Sequence, residues 1–351
     1  MAGMTYKCPS CGAYLTFDPE GQQWKCPFCD SAFQEDALLE TEAQHEQDAS
    51  EPETYHTAEG EQVLYRCQSC GSEIVTTDET TVATECYYCH SPVVLQGRLP
   101  DEFRPDTVLP FTIDQDAAVK GFMNWVKSKK YVPKAFFSQS QIQKISGVYY
   151  PHFVTECEVE GAVEGEGRNT SVMDMGKYIV TSTQHYHVRR EADITFGNIM
   201  RPALAKQNRK LADGIHPFPL ENEKPFSTAY LSGFLAERRD IDPESIQGDI
   251  QNEVEKYVEP LLNESIHYNS YSVSPSAKLK KMNTRYVLLP TWVLTYPNKH
   301  KKDDPYYYAM NGCTGEVCGK LPIDKKKLNL NGLFIGAAVF AVGCLISYFL
   351  F

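Results

Sequence analysis

The chain has 351 residues, a formal net charge of −12 and twelve cysteines. Its length predicts more than one domain, and its apolar and aromatic content is sufficient for a folded core. The acidic balance counts against a protein that holds phosphate backbones by charge. Twelve cysteines in a cytosolic chain indicate metal binding rather than disulfides, because that compartment is reducing.

Two cysteine quartets with the same spacing lie in the N-terminal part of the chain. Each consists of a C-x2-C pair, 14 or 15 intervening residues, and a second C-x2-C pair. The x2 spacing lets a tight turn direct two thiolates at one metal ion, and two such turns complete a tetrahedron of sulfurs. The predicted metal ligands are Cys8, Cys11, Cys26 and Cys29 in the first quartet, and Cys67, Cys70, Cys86 and Cys89 in the second.

The ligand type predicts the metal and its role. Four soft sulfur ligands favour Zn²⁺, with iron as the alternative, so we expect two structural zinc sites. A unit of about 35 residues cannot bury enough surface to fold alone, and the metal would supply the missing stability. A closed Cys₄ shell leaves no open coordination position, so neither predicted site is catalytic.

The predicted zinc ribbons have little of what nucleic-acid binding requires. Neither contains the cluster of Lys and Arg that a phosphate-binding face needs. Aromatic residues such as Trp24, Phe28, Tyr87 and Tyr88 can stack on bases, but they serve equally well as a small apolar core. We therefore favour ribbons that bind protein over ribbons that bind nucleic acid.

An uncharged apolar run forms the C-terminal segment, residues 332–351. As a helix it would reach about 30 Å, the thickness of the hydrocarbon core of a bilayer. Lys325, Lys326 and Lys327 precede it, and basic residues beside a span stay on the cytoplasmic side. No apolar signal segment is present at the N-terminus. The pattern predicts a single-pass, tail-anchored protein of the cytoplasmic membrane, with its N-terminal bulk in the cytoplasm.

Small residues recur along the predicted span. Gly332, Gly336, Gly343 and Ser347 are separated by offsets of 4, 7 and 4, which places them near one helix face. Another span could pack closely there and form a homo- or hetero-oligomer. Ordinary use of small residues in a membrane helix explains the same pattern.

Residues 104–323 predict a mixed α+β body. Asp114 can cap one helix, Asp242 followed by Pro243 begins a second, and Pro260 should bend or end that second helix. The segments GVYYPHFV and YVLLPTWVL are alike, and each follows a Pro-Phe dipeptide and a helix, which suggests two related halves. The predicted fold class is α+β, with two small β-type Cys₄ zinc ribbons, this body and one C-terminal transmembrane helix.

Composition and motifs set the predicted domain boundaries. Ten acidic residues and no Lys or Arg lie between the ribbons, which favours a flexible segment there. The boundaries are 1–34 for the first zinc ribbon, 35–61 for the acidic flexible linker, 62–98 for the second ribbon, 104–323 for the body, 324–331 for a basic juxtamembrane stem and 332–351 for the transmembrane anchor.

The sequence contains few signs of catalysis. It has no phosphate-cradling glycine loop, no HExxH motif and no nucleophile elbow. His185 and His187 share one face of a predicted strand and could bind metal, but a polar sheet face is the simpler interpretation. Cys157 suits a small core residue, and Cys313 and Cys318 should be free thiols on either side of a turn. We therefore expect a protein that is not an enzyme.

Several short motifs are spread over nearly the whole chain. They are the CPxC pairs, GVYYP from Gly147, PF at Pro225, AYLSGFLA from Ala229, LPTW from Leu289, MNGCTG from Met310 and GKLP from Gly319. In these motifs the chain resembles the bacterial TFIIB-type zinc ribbon-containing membrane proteins, some of which carry the label primosomal-helicase-like. The resemblance implies the two-ribbon, tail-anchored type, which is associated with phage-shock protein A and SPFH (flotillin-like) proteins, and it supplies no catalytic residues. The helicase label does not suit a chain without a nucleotide-binding motif.

These patterns together predict a non-enzymatic adaptor that recruits or scaffolds partner proteins at the cytoplasmic membrane. By the resemblance, the partners would be a phage-shock-protein-A-like protein, an SPFH-type membrane protein or both, in a response to membrane stress. The alternative is a membrane-tethered regulator whose zinc ribbons bind nucleic acid.

Overall fold

The computed structural model describes residues 2–4, 6–38, 53–57, 60–67, 70, 72–76, 78, 80–86, 91–95, 99, 101–133, 136, 144–207, 209–296 and 305–350. The chain forms two compact units that alternate along the sequence. Unit 1 contains Met1–Tyr150, Lys206–Arg238 and Leu288–Phe351, and unit 2 contains Pro151–Ala205 and Arg239–Val287. The boundaries predicted from the sequence, and the relation between two halves, stay predictions.

Nine short strands form the N-terminal part of unit 1 as the structure describes it. The second, third and fourth make a small antiparallel sheet of their own, in which Phe17 lies opposite Trp24. The strand at Glu53 falls in the segment predicted as an acidic linker, and residues 39–52 of that segment lie outside the described residues. The strands are β1 Ala2–Met4, β2 Thr16–Asp18, β3 Gln23–Lys25, β4 Ala32–Phe33, β5 Glu53–Thr57, β6 Gly60–Cys67, β7 Glu73–Thr76, β8 Thr81–Glu85 and β9 Pro92–Leu95.

The rest of the described chain is mixed α+β and is mostly sheet, in agreement with the predicted fold class. Short 3₁₀ turns at Asp101–Phe103, Leu220–Asn222 and Thr228–Leu231 connect the main elements. The strands are β10 Thr107–Val108, β11 Ser146–Asp174, β12 Ile179–Pro202, β13 Lys224–Pro225, β14 Leu235–Glu237, β15 Ser270–Tyr296, β16 Tyr306–Asn311 and β17 Val317–Lys320. The helices are α1 Gln115–Lys127, α2 Arg209–Asp213, α3 Pro243–Asn263 and α4 Lys325–Leu350.

A continuous ladder of strands joins the second cysteine region to the body of unit 1. Strand β8 pairs antiparallel with β14, where Ala83 lies opposite Ala236. Strand β14 then pairs parallel with the first residues of β11, where Val148 lies opposite Leu235. On its other edge β8 pairs with β9, and the ladder continues through β1 to β6. The second cysteine region is therefore part of a larger sheet.

Unit 2 is built on a long β-hairpin with a helix packed against it. Strands β11 and β12 pair antiparallel from His152 opposite Pro202 to Asp174 opposite Ile179. One face of α3 buries apolar side chains that include Val254 and Val258. They pack in one core cluster with hairpin residues, one of which is Cys157. The alternation of apolar and polar residues at 156–165 and 178–188 predicts antiparallel strands, which the structure confirms, and Cys157 is the core residue that the sequence suggested.

Both predicted helices of the body, α1 and α3, are present, but the ends of α3 differ from the prediction. The Asp114 carboxylate caps α1 by accepting a hydrogen bond from the backbone N–H of Ala117 at 2.7 Å. In contrast, the side chain of Asp242 makes no capping bond to α3, and Arg239 lies 3.2 Å from its carboxylate. Helix α3 continues past Pro260 to Asn263, so the proline does not itself end the helix. The bend, which the sequence offered as the other outcome, stays a prediction.

Candidate metal centres

The structure brings the four cysteines of the first quartet together. The sulfurs of Cys8 and Cys29 lie 3.6 Å apart, and those of Cys11 and Cys26 lie 3.5 Å apart. All four sulfurs lie within 4.8 Å of one another. One cysteine of each pair, Cys8 or Cys26, is buried, and its companion is exposed. In each C-x2-C turn, therefore, one buried sulfur and one exposed sulfur lie at the same site.

Three cysteines of the second quartet form a similar group. The sulfurs of Cys67, Cys70 and Cys86 lie within 4.8 Å of one another, and those of Cys70 and Cys86 are 3.7 Å apart. Cys67 and Cys86 are buried and Cys70 is exposed, which repeats the arrangement of the first quartet. The fourth predicted ligand, Cys89, lies outside the described residues.

The same type of backbone hydrogen bond is found at all four C-x2-C pairs. In each turn the backbone N–H of the first cysteine donates to the carbonyl oxygen five residues later, at distances from 2.6 to 3.0 Å. In the first turn the N–H of Gly12 also donates to the carbonyl oxygen of Cys8, and Gly12 has a φ of +76°. Glycine adopts a positive φ most easily, which suits Gly12 to its place after Cys11, and Asp30 has a φ of +57° at the same place after Cys29. The donor and acceptor pairs are Cys8 and Ala13, Cys26 and Ser31, Cys67 and Ser72, and Cys86 and Ser91.

The sulfur geometry fits a tetrahedral metal ion. With zinc–sulfur bonds of about 2.3 Å, the edge of a ZnS₄ tetrahedron is about 3.8 Å. The sulfur–sulfur distances of 3.5, 3.6 and 3.7 Å lie close to that edge. Both cysteine groups could therefore hold a metal ion. The described cysteines form no disulfides, so their sulfurs are available as ligands.

The thiols of the first quartet differ in their ease of ionisation. Hydrogen bonds from the side chain and backbone of Ser31 lower the pKa of Cys29 to about 6. The backbone amide of Ala13 lowers the pKa of Cys11, but hydrogen bonds with the sulfurs of Cys26 and Cys29 raise it to about 12. Cys29 therefore ionises more readily than Cys11.

A buried segment of the body, residues 227–234, holds the first cysteine region. The indole N–H of Trp24 donates to the carbonyl oxygen of Ala229 at 2.8 Å, and the N–H of Phe17 donates to that of Ser232 at 3.0 Å. The ring of Tyr230 lies 5.1 Å from that of Trp24 and 5.3 Å from that of Phe17. In the sequence this segment was noted only as part of the motif AYLSGFLA. Its run of aromatic and small residues is the feature that could have indicated a buried contact.

A charged cluster holds the second cysteine region to the body. Lys206 pairs with Asp78 and lies 3.1 Å from the carboxylate of Glu237. The hydroxyl of Thr80 donates to Glu237 at 2.5 Å, and the backbone N–H of Arg238 donates to the carbonyl oxygen of Thr80 at 2.7 Å. Burial raises the pKa of Asp78, but hydrogen bonds from Lys206 and Thr80 outweigh this effect and lower it to about 2.

The other candidate residues do not gather into a site in the part of the chain that the structure describes. Among those residues, the cysteine quartets are the groups with three or more potential metal ligands. His185 and His187 are exposed on β12, and His187 lies 3.2 Å from the carboxylate of Glu164 across the hairpin. Cys313 and Cys318 are free thiols, as predicted. Burial raises the pKa of Cys313 to about 12, which keeps it protonated at neutral pH.

Helix α4 carries the predicted span and is attached to unit 1 at its first turns. It has one stretch, Lys325–Cys344, that is long and apolar enough to cross a membrane. The Asp324 carboxylate caps the helix by accepting from the N–H groups of Lys326 and Lys327 at 3.1 and 3.2 Å. The backbone N–H of Asp324 donates to the carbonyl oxygen of Tyr131 at 2.7 Å. None of the stretch is buried against the described protein, whereas a core helix of this composition would be.

Comparison with known proteins places the chain in a family. A protein of Bacillus subtilis (strain 168), "Uncharacterized protein YdjG", is 30% identical over 328 residues, which cover 93% of this chain and 92% of that protein. The chain belongs to the YdjG family. The match extends over almost the full length of both proteins, so the similarity to YdjG includes the body of the chain as well as the cysteine motifs. No family model matches the chain, and no solved structure matches it.

Proposed function

We propose that this protein is a non-enzymatic, membrane-anchored adaptor that recruits partner proteins to the cytoplasmic membrane. The observation that carries the proposal is helix α4, an apolar stretch of membrane-spanning length with none of its surface buried against the described protein. A helix of this composition needs an apolar environment, and a bilayer provides it along the whole length. The three lysines that begin the helix support a cytoplasmic location of units 1 and 2.

In this proposal the cysteine quartets bind two structural zinc ions. Cys8, Cys11, Cys26 and Cys29 would hold one ion, and Cys67, Cys70 and Cys86 with Cys89 would hold the other. The ions would cross-link short strands that bury little surface of their own. The hydrogen bond from the N–H of Cys86 to the carbonyl oxygen of Ser91 matches the bond made by the first cysteine of the other three pairs, and Cys89 has the same place in its C-x2-C motif as Cys29, which supports it as the fourth ligand. Complete sulfur shells leave no position for a substrate.

Partner binding is assigned to surfaces that remain free when the ribbons are packed on the body. In the first ribbon, Trp24 is buried against the body while Phe28 is 69% exposed. The ring of Phe28 contacts that of Tyr14 edge-on, with centroids 5.6 Å apart, so it is held in place at the surface. Exposed, fixed aromatic rings are typical of protein-binding hot spots. By the resemblance, the partner would be a phage-shock-protein-A-like protein or an SPFH-type protein.

Deletion of residues 332–351 tests the anchor and the recruitment together. We expect the shortened chain to leave the membrane fraction, and its partners to be lost from that fraction as well. A chain with an unrelated bacterial span in place of these residues is the matched control, and it should restore both properties. Partners that stay at the membrane after the deletion would refute the adaptor function. A replacement span that restores anchoring without partners would assign recruitment to the native helix.

The exposed ring of Phe28 separates the protein-binding ribbon from the nucleic-acid alternative. A chelator is a poor tool here, because loss of metal would disturb the ribbon and the body segment that holds it. Phe28→Ser should reduce partner capture from gently solubilised membranes and leave the fold and the metal content intact. Phe33→Ser, a change of a half-buried ring in the same ribbon, controls for general damage. Binding of DNA or RNA at low salt that Phe28→Ser abolishes would favour the alternative.

A further inference from the structure

The outer end of the hairpin in unit 2 presents a cluster of apolar side chains to solvent. Contacts with the core of unit 2 extend to Asn169 and Thr170, which exchange hydrogen bonds with Asn269 at 3.0 Å. Beyond them every residue from 171 to 187 is exposed. We call residues 171–182 the hairpin tip. Its large apolar side chains are 63% to 73% exposed: Val172, Met173, Met175, Tyr178 and Ile179.

The apolar side chains surround the hairpin tip on both faces. Val172 and Met173 are neighbours on β11, and Ile179 and Val180 are neighbours on β12, so each pair has one member on either face of the ribbon. A protein groove covers one face of a two-stranded ribbon and leaves the other in water. A bilayer surface surrounds an inserted ribbon on all sides. The distribution of apolar groups therefore matches lipid better than a protein partner.

Strand pairing and turn bonds satisfy the inward-facing backbone groups of the hairpin tip, and its outward-facing groups can bond to water and headgroups at a membrane surface. Strand pairing continues to Asp174 opposite Ile179. In the turn, the N–H of Met175 donates to the carbonyl oxygen of Tyr178 at 2.9 Å, and the N–H of Gly176 donates to the Asp174 carboxylate at 2.8 Å. Unpaired backbone groups are the main obstacle to placing a strand in an apolar medium. These bonds reduce that obstacle at the tip.

The charge of the hairpin favours an anionic surface. Residues 168–190 contain Arg168, Lys177, Arg189 and Arg190 and one acidic residue, Asp174. Arg168 pairs with Glu166 and Arg189 pairs with Glu191, so the positive charge offered to an anionic surface comes from Lys177 and Arg190. Basic residues next to exposed apolar side chains are the pattern of segments that bind the headgroup region of anionic membranes. Lys177 sits in the turn itself, and its long side chain can keep the ammonium group among the headgroups.

We propose that the hairpin tip inserts into the headgroup region of an anionic bilayer and gives the protein a second membrane contact. The proposal rests on the proposed function in one respect, since helix α4 is what keeps the chain at a membrane. The tip is too short and too polar to span, so the contact is interfacial. It would give unit 2 a lipid contact of its own, in addition to helix α4 of unit 1.

The test uses the full-length chain with Tyr178→Trp, reconstituted into vesicles of phosphatidylcholine and phosphatidylglycerol. The fluorescence of the parent protein, with its own three tryptophans, is subtracted. Lipids with brominated acyl chains should quench the indole introduced at the tip about twofold more than the indole introduced by the matched control Tyr257→Trp. Tyr257 is exposed on α3 of the same unit. Addition of Met173→Ser and Ile179→Ser to the Tyr178→Trp chain should remove the excess quenching.

Each alternative has its own signature in this experiment. Quenching of the Tyr178→Trp indole by aqueous acrylamide without quenching by brominated lipid would place the tip in water and overturn the proposal. Protection from both quenchers would show that a protein, such as a second copy of the chain, covers the tip, and it would also overturn the proposal. Lys177→Glu or omission of phosphatidylglycerol should weaken the lipid quenching. Lipid quenching in a chain that carbonate extracts from the vesicles would support the hairpin contact and refute the anchor.

Discussion

The indole nitrogen of Trp24 donates a hydrogen bond to the carbonyl oxygen of Ala229, although 205 positions separate the two residues in sequence. Trp24 lies two residues before Cys26, so this bond links a strand beside the first metal centre to the core of unit 1. The ring of Trp24 is almost fully buried and packs against Phe17 and Tyr230. Folding of the first ribbon and ordering of the segment 227–234 should therefore be coupled.

Trp24→Phe tests this coupling by removing the hydrogen bond while keeping an aromatic ring. The carbonyl of Ala229 keeps its hydrogen bond from the backbone N–H of Ser232 at 3.1 Å, so the change removes one of two hydrogen bonds to it, which costs about 1 kcal/mol. For a unit of this size, each kcal/mol lowers the melting temperature by about 2–4 °C. Thermal unfolding of the detergent-solubilised protein, followed by circular dichroism, measures the change. Phe28→Leu is the matched control in the same ribbon, and it should melt within about a degree of the parent because surface changes have small effects.

The metal stoichiometry tests the two quartets separately. Cys8→Ala should remove one of the two bound ions, and Cys89→Ala should remove the other, because each change breaks one Cys₄ shell. Atomic mass spectrometry of the purified protein measures the metal-to-protein ratio, which should fall from about two to about one. Cys344→Ala alters an exposed thiol in α4, away from either quartet, and should leave the ratio unchanged. A ratio that stays at two in Cys89→Ala would assign the fourth ligand to another group.

The metal centres could be predicted from the sequence because their geometry is local. A C-x2-C turn fixes its two sulfurs within a few residues, and the repeat of the spacing indicated the pairing of turns. Helix α1 was also predictable, since its Asp114 cap and its buried Ala118, Phe122 and Val126 follow from local periodicity. In these cases the contacts that decide the structure lie close together in the chain.

The long-range pairings could not be predicted by the same means. Nothing near Ala83 indicates that it lies opposite Ala236, and nothing near Trp24 indicates its bond to Ala229. The hairpin of unit 2 was predicted only in pieces: alternation indicated strands at residues 156–165 and 178–188, but nothing local showed that both belong to one long ladder. Helix α3 was predicted, but the exposure of Tyr257 and Leu261 was not. Only the stripe of residues four positions apart, from Ile250 to Leu262, is buried, and the apolar residues beside this stripe stay exposed.

The charged cluster around Lys206 predicts a pH dependence at the acid end. The pKa of Asp78 in the folded protein is lowered to about 2, below the usual value of about 3.9 for an unfolded chain. Its pairing therefore stabilises the fold above pH 4, and this contribution is lost as the pH falls through the folded value. The Asp78 side chain is 47% exposed, so solvent screening limits the effect to about 1 kcal/mol.

Asp78→Asn isolates this contribution. The variant should melt lower than the parent at neutral pH, and the difference should shrink below pH 4 and vanish near the lowered pKa of Asp78, about 2. Protonation of the cysteine ligands affects both proteins and cancels in the comparison. Asp116→Asn removes a carboxylate from the exposed first turn of α1 and serves as the control. A difference between Asp78→Asn and the parent that is constant over the whole pH range would show that the ion pair with Lys206 contributes nothing.

The membrane assignment of α4 predicts a strong effect of charge at its centre. Val339→Arg together with Val342→Arg places two guanidinium groups near the middle of the apolar stretch, where each costs about 2.5–3.5 kcal/mol of insertion free energy. We expect the variant to move from the carbonate-resistant membrane fraction to the soluble or extractable fraction. Leu328→Arg together with Leu330→Arg adds the same charge in the predicted stem, where basic residues favour a cytoplasmic position, and it should stay carbonate-resistant. If α4 instead docks on a partner protein, both forms of the chain would be extracted by carbonate.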